Sequence, residues 1–212
     1  MRVIAIDGPV GSGKSTVARA VADRLGLDML STGAMYRAVA VAALRRGIDP
    51  VPESAAELVR VAEDITVDVG ERVWVDGEDV TAELRTPAVN RAVSVVAAEA
   101  GVRAALVPQQ RAWVESHGGG VVEGRDIGTV VFPDAAVKVF LTASPEERAR
   151  RRGDDEEAAD LARRDEIDST RAASPLAAAP DALVIDSTGR SVEDIVAEIV
   201  GHAEGLAGSD QR

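Results

Sequence analysis

Nine residues near the start, Gly8-Pro9-Val10-Gly11-Ser12-Gly13-Lys14-Ser15-Thr16, restrict this chain more than any other stretch. They match G-x-x-x-x-G-K-[ST], a pattern that carries its physical meaning only between a buried strand and a helix. Both flanks qualify. Arg2 to Asp7 is a short Val/Ile-rich run ending in Asp-Gly, as expected of a buried parallel strand. Ser15 to Leu25 places Val17, Ala18, Val21 and Leu25 on one helical side, and Gly26 is a natural stop. In such a turn the glycines let backbone N–H groups wrap the β- and γ-phosphates of a nucleotide, and the helix N-terminus adds its positive dipole end. Lys14 supplies a compact charge to the transferring oxygens, and the Ser15 hydroxyl can ligate Mg²⁺. Only Lys14 and Lys138 among the 24 basic residues are lysines. A lysine at this position therefore answers a need for a point charge.

The remaining pattern alternates strands and helices. Asp28 to Leu30, Val121 to Glu123, Val137 to Leu141 and Leu183 to Ile185 read as further short strands. Helices are expected at about 34–46, 86–98, 102–116 and 192–202. Ser144-Pro145-Glu146-Glu147 is a helix-start signal, with a capping serine, proline at the first position and acids in the first turn. The order predicts an α/β sandwich around a parallel sheet. Between the helices, Ile65 to Val69, Arg72 to Val75 and Glu78 to Thr81 alternate apolar and polar residues, with turns at Gly70-Glu71 and Asp76-Gly77. They read as a small antiparallel meander. At 212 residues one globular domain is expected, with small insertions.

Composition excludes several function classes. A net charge of −12 argues against bulk nucleic-acid or anionic-membrane binding. Cysteine is absent, which removes disulfides and thiolate metal sites. No run approaches the roughly 20 apolar residues of a membrane span, and MRVIAIDG is too short for a signal-peptide core, so a cytoplasmic address is expected. Aromatics are only 2 % of a chain that is 46 % hydrophobic, so the core must be built from Ala, Val, Leu and Ile. With no large apolar anchor to present, a monomer is the default. The basic block Arg148 to Arg152 is followed at once by Asp154 to Glu157, a poor track for a phosphate backbone. His117 and His202, the only histidines, sit in no motif.

The glycine-rich loop does not choose among a GTPase, an ATPase motor and a small-molecule kinase. No N-K-x-D guanine-reading motif is present, and the chain is short for a motor. Thr32-Gly33-Ala34-Met35-Tyr36-Arg37 puts a hydroxyl at a helix start and a guanidinium one turn later, a candidate clamp for a second phosphate. An arginine so placed is also what a solvated surface provides. Gly124-Arg125-Asp126 follows a predicted parallel strand at the edge where ligands of open α/β sheets gather. Arg125 there can bridge phosphates and Asp126 can accept from an exocyclic amine, the alternative being a structural ion pair.

These segments, IDGPVGSGKST, STGAMYR, DGEDVTAELRT, EGRDIGTVVFPDA, RRDEIDSTRAASPL and DALVIDST, stand in an order and spacing that resembles the bacterial cytidylate kinases, nucleoside-monophosphate kinases of the P-loop class. The resemblance spans nearly the whole chain. It implies a three-layer P-loop NTPase fold with a five-stranded parallel sheet, a helical acceptor-binding insertion carrying the small antiparallel sheet, and a short lid. The core would comprise residues 1–34, 106–147 and 167–212, the insertion 35–105 and the lid 148–166. It further implies transfer of the γ-phosphoryl of ATP to CMP and dCMP with Mg²⁺. ATP would bind at Gly8 to Thr16, its adenine near Arg148 and the Asp186-Ser187-Thr188 loop. Lys14, Arg125, Arg150 and Arg152 would stabilise the transferring group. Thr32 and Arg37, assisted by Arg125, would hold the acceptor phosphate. Ser94, Arg103 and Asp126 would read the cytosine edge, while Arg164, Asp168 and Arg171 would approach the nucleotide late, Asp168 at a ribose hydroxyl. The stretch between Arg152 and Arg163 is shorter than the family pattern and rich in Gly, Asp and Glu, so a smaller, more mobile lid is expected. Two other readings stand beside this one: a P-loop kinase of UMP or of a small hydroxyl metabolite, and a non-catalytic nucleotide-binding module.

Overall fold

In the computed structural model, residues 2–152, 158–171 and 174–209 are described, with side chains except at 152, 158–162, 164 and 206–209. Five parallel strands form the main sheet: β1 (Arg2–Asp7), β2 (Met29–Ser31), β6 (Gly119–Gly124), β7 (Val137–Thr142) and β8 (Leu183–Asp186), ordered β2-β6-β1-β7-β8. β1 is central because its run RVIAID can be covered on both faces. Val3 and Ala5 join one apolar cluster, whereas Ile4 and Ile6 join the other. This is the period-2 alternation of a strand sandwiched between two helical layers.

Helices α1 (Lys14–Leu25) and α8 (Val192–Ser209) cover the Ile4/Ile6 face. On the other face lie α2 (Thr32–Arg45), α3 (Ala55–Asp64), α4 (Pro87–Ala98) and α5 (Ala100–Ser116). α2 is buried from Ala38 through Ala43. Small side chains are what allow a helix to be packed nearly all round in a core this poor in aromatics. α3 is an addition to the sequence expectation, and α5 begins two residues earlier than expected.

The meander is present as β3 (Val67–Val69), β4 (Val73–Val75) and β5 (Glu78–Asp79), antiparallel throughout. Its inner residues Val69, Val73 and Val75 enter the same cluster as α2, while Trp74 faces outward. The β4–β5 turn uses Asp76 at φ 51° and Gly77 at φ 83°. Two positive φ values are what a two-residue hairpin of right-handed twist requires. The insertion thus shares one continuous core with the sheet. Two further helices, α6 (Pro145–Arg152) and α7 (Ala158–Thr170), lie between β7 and β8 in the chain, and α7 had no counterpart in the sequence reading.

Candidate active site

The strand register brings the site together. Asp7 is level with Gly124, Ile6 with Glu123, and Ser31 with Glu123, all at the C-terminal edge of the sheet. From that edge the chain turns into the glycine-rich loop. A Cβ on Gly8, whose φ is 154°, would sit 2.0 Å from the Leu141 carbonyl oxygen, so only glycine lets the loop cross β7 this closely. Gly13, at φ 88°, ends the loop and starts α1. Lys14 is 7 % exposed and donates to the Pro9 carbonyl at 3.0 Å. The Ser15 hydroxyl donates to Glu123 at 3.2 Å, and the Ser31 hydroxyl donates to the same oxygen at 2.5 Å. Glu123, buried at the end of β6, was not among the sequence candidates. Its signal was its place immediately before Gly124-Arg125-Asp126.

Asp7 accepts the N–H groups of Ile127 and Gly128 at 2.8 Å each. Burial pushes its carboxyl up to about 6. Those two hydrogen bonds oppose the rise, Asp126 adds to it, and Lys14 counters it. The same bonds anchor the π-helical turn Ile127–Val131 and so aim the two residues before it. A Cβ on Gly124 would meet Thr32 Oγ1 and Ile127 Cδ1 at 2.6 Å, so the chain at this point has no room for a side chain.

Arg125 and Asp126 face a cleft of about 1020 Å³ whose floor is Lys14 and Ser15. Arg103, on α5, and Asp126 form a buried ion pair, and Arg171 reaches the other Asp126 oxygen at 3.4 Å. Burial lowers the pKa of Arg171, against the attraction of Asp126. Arg125 binds Asp168 through Nε at 2.7 Å and the Gly8 carbonyl at 3.0 Å. Burial works against its charge, but the Asp168 carboxylate, helped by Glu123, holds its pKa above the usual arginine value. Ser94 is buried in the cleft wall.

Arg37 donates to the Leu84 carbonyl at 2.6 Å and to Asn90 at 2.7 Å, which presets its direction from α4 and the turn before it. Thr32 differs from expectation. Its hydroxyl proton goes to the Glu123 carbonyl at 2.9 Å, so it ties α2 to β6 instead of pointing a donor at a ligand. Among the described residues, seven cations line the cleft (Lys14, Arg37, Arg85, Arg103, Arg125, Arg151 and Arg171) against three carboxylates, Glu123, Asp126 and Asp168. The positive charge is concentrated locally within an acidic protein.

The expected lid arginines are redistributed by helical phase. On α6, Arg148 and Arg151 are three residues apart and share the face toward the phosphate loop. Arg148 donates to the Val10 carbonyl at 3.1 Å and pairs with Asp165 of α7, which also accepts from the Val10 N–H at 3.4 Å. Arg151 donates to the Ser12 carbonyl at 3.0 Å and to both the hydroxyl and carbonyl of Ser187. Neither Arg151 nor Asp165 was a sequence candidate. Arg150, expected at the transferring group, points outward instead: its side chain is 73 % exposed and forked on Glu147. The side chains of Arg152 and Arg164 lie outside the described residues, as do residues 153–157, on which the expectation of a mobile lid rests. A second groove of about 250 Å³ runs beside Ser12, Thr16, Arg151, Ser187 and Arg190. It adjoins the Asp186-Ser187-Thr188 loop, and Arg150, Arg151 and Arg190 line it, whereas Arg148 does not.

Among the described residues no helix is long and apolar enough to cross a membrane. Of solved structures, one similar in fold is an uncharacterized protein from Eubacterium ventriosum ATCC 27560, with a TM-score of 0.50 and 12 % identity over 96 % of this chain and 99 % of that one. Sequence relatives are much nearer. A cytidylate kinase of Pelotomaculum thermopropionicum is 50 % identical over 93 % of each chain. One of Mycobacterium leprae is 48 % identical over 93 % of each, and one of Pseudomonas aeruginosa 45 % identical over 95 % of each. The family model described as cytidylate kinase matches residues 4–205, and the chain belongs to that family.

Proposed function

We propose that this protein transfers the γ-phosphoryl group of ATP to CMP, and to dCMP as a second substrate, giving ADP and CDP or dCDP. The observation that carries the reading is the buried Arg103–Asp126 pair in the wall of the cleft whose floor is Lys14. Cytosine presents an amine beside a ring nitrogen and a carbonyl, which need an acceptor and a donor respectively. Asp126 and Arg103 are that combination. Uracil would set a carbonyl against the Asp126 carboxylate and leave lone pairs opposed.

Arg37 and Arg125 provide two guanidinium forks for the acceptor phosphate, and Asp168 a carboxylate for a ribose hydroxyl. A phosphate oxygen is already a competent nucleophile, so the residues need only align it with the γ-phosphorus and offset charge. Lys14, Arg125 and Arg151 are the cations placed for that work. Ser15 and Glu123 fit a Mg²⁺ ion, being oxygen donors 3.2 Å apart, one a buried carboxylate. Among the described residues no cluster of three or more His, Cys, Asp or Glu side chains forms a complete protein cage. The remaining ligands would be phosphate oxygens and water. Bound there, the ion's contribution is to neutralise charge on the β- and γ-oxygens. In this reading residues 1–34, 106–147 and 167–212 form the core, 35–105 receive the monophosphate and 148–166 cover the ATP. The enzyme works as a cytoplasmic monomer without nucleic-acid or membrane partners.

The test is coupled ADP release with ATP–Mg²⁺ and CMP, dCMP, UMP, AMP or GMP. The expected result is a preference for CMP and dCMP by more than about tenfold. Equal rates with UMP would remove the base-reading roles of Ser94, Arg103 and Asp126, and no turnover with any monophosphate would overturn the reaction.

A further inference from the structure

Behind the base-reading pair lies a polar group that the reaction as described does not use. Gln110, on α5, is 0 % exposed and lines neither groove. Arg103 lies two helical turns before it on the same face of α5. Tyr36 of α2 interacts with both. The Arg103 guanidinium carbon stands 5.6 Å over the Tyr36 ring, a cation–π arrangement. Burial raises the pKa of the Tyr36 hydroxyl, and the Arg103 charge and the Gln110 amide both oppose that rise, so all three groups feel one another.

Four buried polar atoms in this trio make no well-formed hydrogen bond among the described residues, Tyr36 Oη, Arg103 Nη1, and both Oε1 and Nε2 of Gln110, although the Tyr36 hydroxyl and the Gln110 side chain are close enough to interact. A fully buried amide without well-formed hydrogen bonds costs stability. A methionine of similar volume would suit the apolar neighbours Leu106, Val102 and Val114 better. The polarity of Gln110 is therefore directed at the Tyr36 hydroxyl.

We propose that Gln110 is a positioning residue for base recognition, acting on Arg103 through the Tyr36 side chain. Without nucleotide, one arm of the Arg103 fork is spent on Asp126. When the base amine takes its share of Asp126, Arg103 must turn toward the ring acceptors within a fixed plane. The Gln110 amide N–H₂ donates to Tyr36 Oη and fixes the ring over which the guanidinium lies, which sets the plane of the fork. The inference rests on CMP being the acceptor.

The experiment compares wild type, Gln110→Met, Tyr36→Phe and the double variant, measuring kcat and KM for CMP and UMP at saturating ATP–Mg²⁺, together with Tm. Gln110→Met is expected to keep or raise Tm, raise the KM for CMP about tenfold with a smaller change in kcat, and narrow the CMP-to-UMP ratio of kcat/KM about tenfold. Tyr36→Phe should move the ratio in the same direction, and the double variant should be no worse than the stronger single. A merely structural glutamine would lower Tm and leave the ratio alone. Ratios within about twofold of wild type in both single variants overturn the proposal. A wild-type enzyme that does not phosphorylate CMP overturns the acceptor assignment instead.

Discussion

Lys14 and Asp7 show how single groups acquire a role from their surroundings. Lys14 is half of all the lysine in the chain and is held 3.0 Å from the Pro9 carbonyl at the mouth of the phosphate loop. Lys14→Ala should lower kcat by at least about 10²-fold, in line with the loss of one preorganised charge-stabilising donor, while Tm changes little. Steady-state rates beside a melting curve will check both. Asp7 gives a pH signature. Its folded pKa of about 6 lies above the ordinary aspartate value of 3.8, so its ionised form is disfavoured by folding. The cost is complete above pH 6 and fades as pH falls toward 3.8. Denaturant melts of wild type and Asp7→Asn should therefore diverge with pH: from pH 7 to pH 4 the wild type gains roughly 2–3 kcal/mol relative to the variant. No such gain would mean that Asp7 titrates normally. Lys14, Ser15 and the loop glycines were legible in the sequence because their motif is local. Glu123, Asp165 and Asn90 were not, since their partners Ser15, Arg148 and Arg37 are brought to them only by strand register and helix docking.

At the level of elements, the approach of α3 to α5 depends on a missing side chain. A Cβ on Gly101 would lie 2.4 Å from Val59 Cγ2, and a β-branched neighbour has little freedom to retreat. Gly101→Ala is expected to cost about 1–3 kcal/mol through overpacking. Adding Val59→Ala should recover part of it, which a double-mutant cycle in denaturant will show. Both the parallel sheet and the meander were readable, since alternating Val and Ile residues and the Asp76-Gly77 turn are local signals. α7 was not, because its charged sequence carries no apolar stripe to betray a helix. The outward set of Arg150 has a related origin. Composition marks the whole block as cationic, but only the helical phase of α6 decides that Arg148 and Arg151 face the loop while Arg150 faces solvent.

For the whole molecule, the decisive contrast is between a net charge of −12 and a cleft lined by seven cations. The composition made the acidity plain, and with it the need for a local reserve of arginine. It could not show that Arg103, Arg125 and Arg171 are bound to Asp126 and Asp168 within the cleft. Internal pairing has a kinetic corollary. At distances beyond the Debye length, about 8 Å at physiological salt, an approaching polyanion meets a body of net negative charge, and the cleft's surplus of cations over carboxylates acts only at closer range. Nucleotide capture is therefore a short-range exchange of partners, with little long-range steering to guide the encounter. Stopped-flow association of CMP or ATP should hold steady or quicken as ionic strength rises toward physiological values. A steep slowing would instead reveal a long-range attractive field. Such an enzyme keeps its capture rate in a concentrated, salty interior, where steered binders lose theirs.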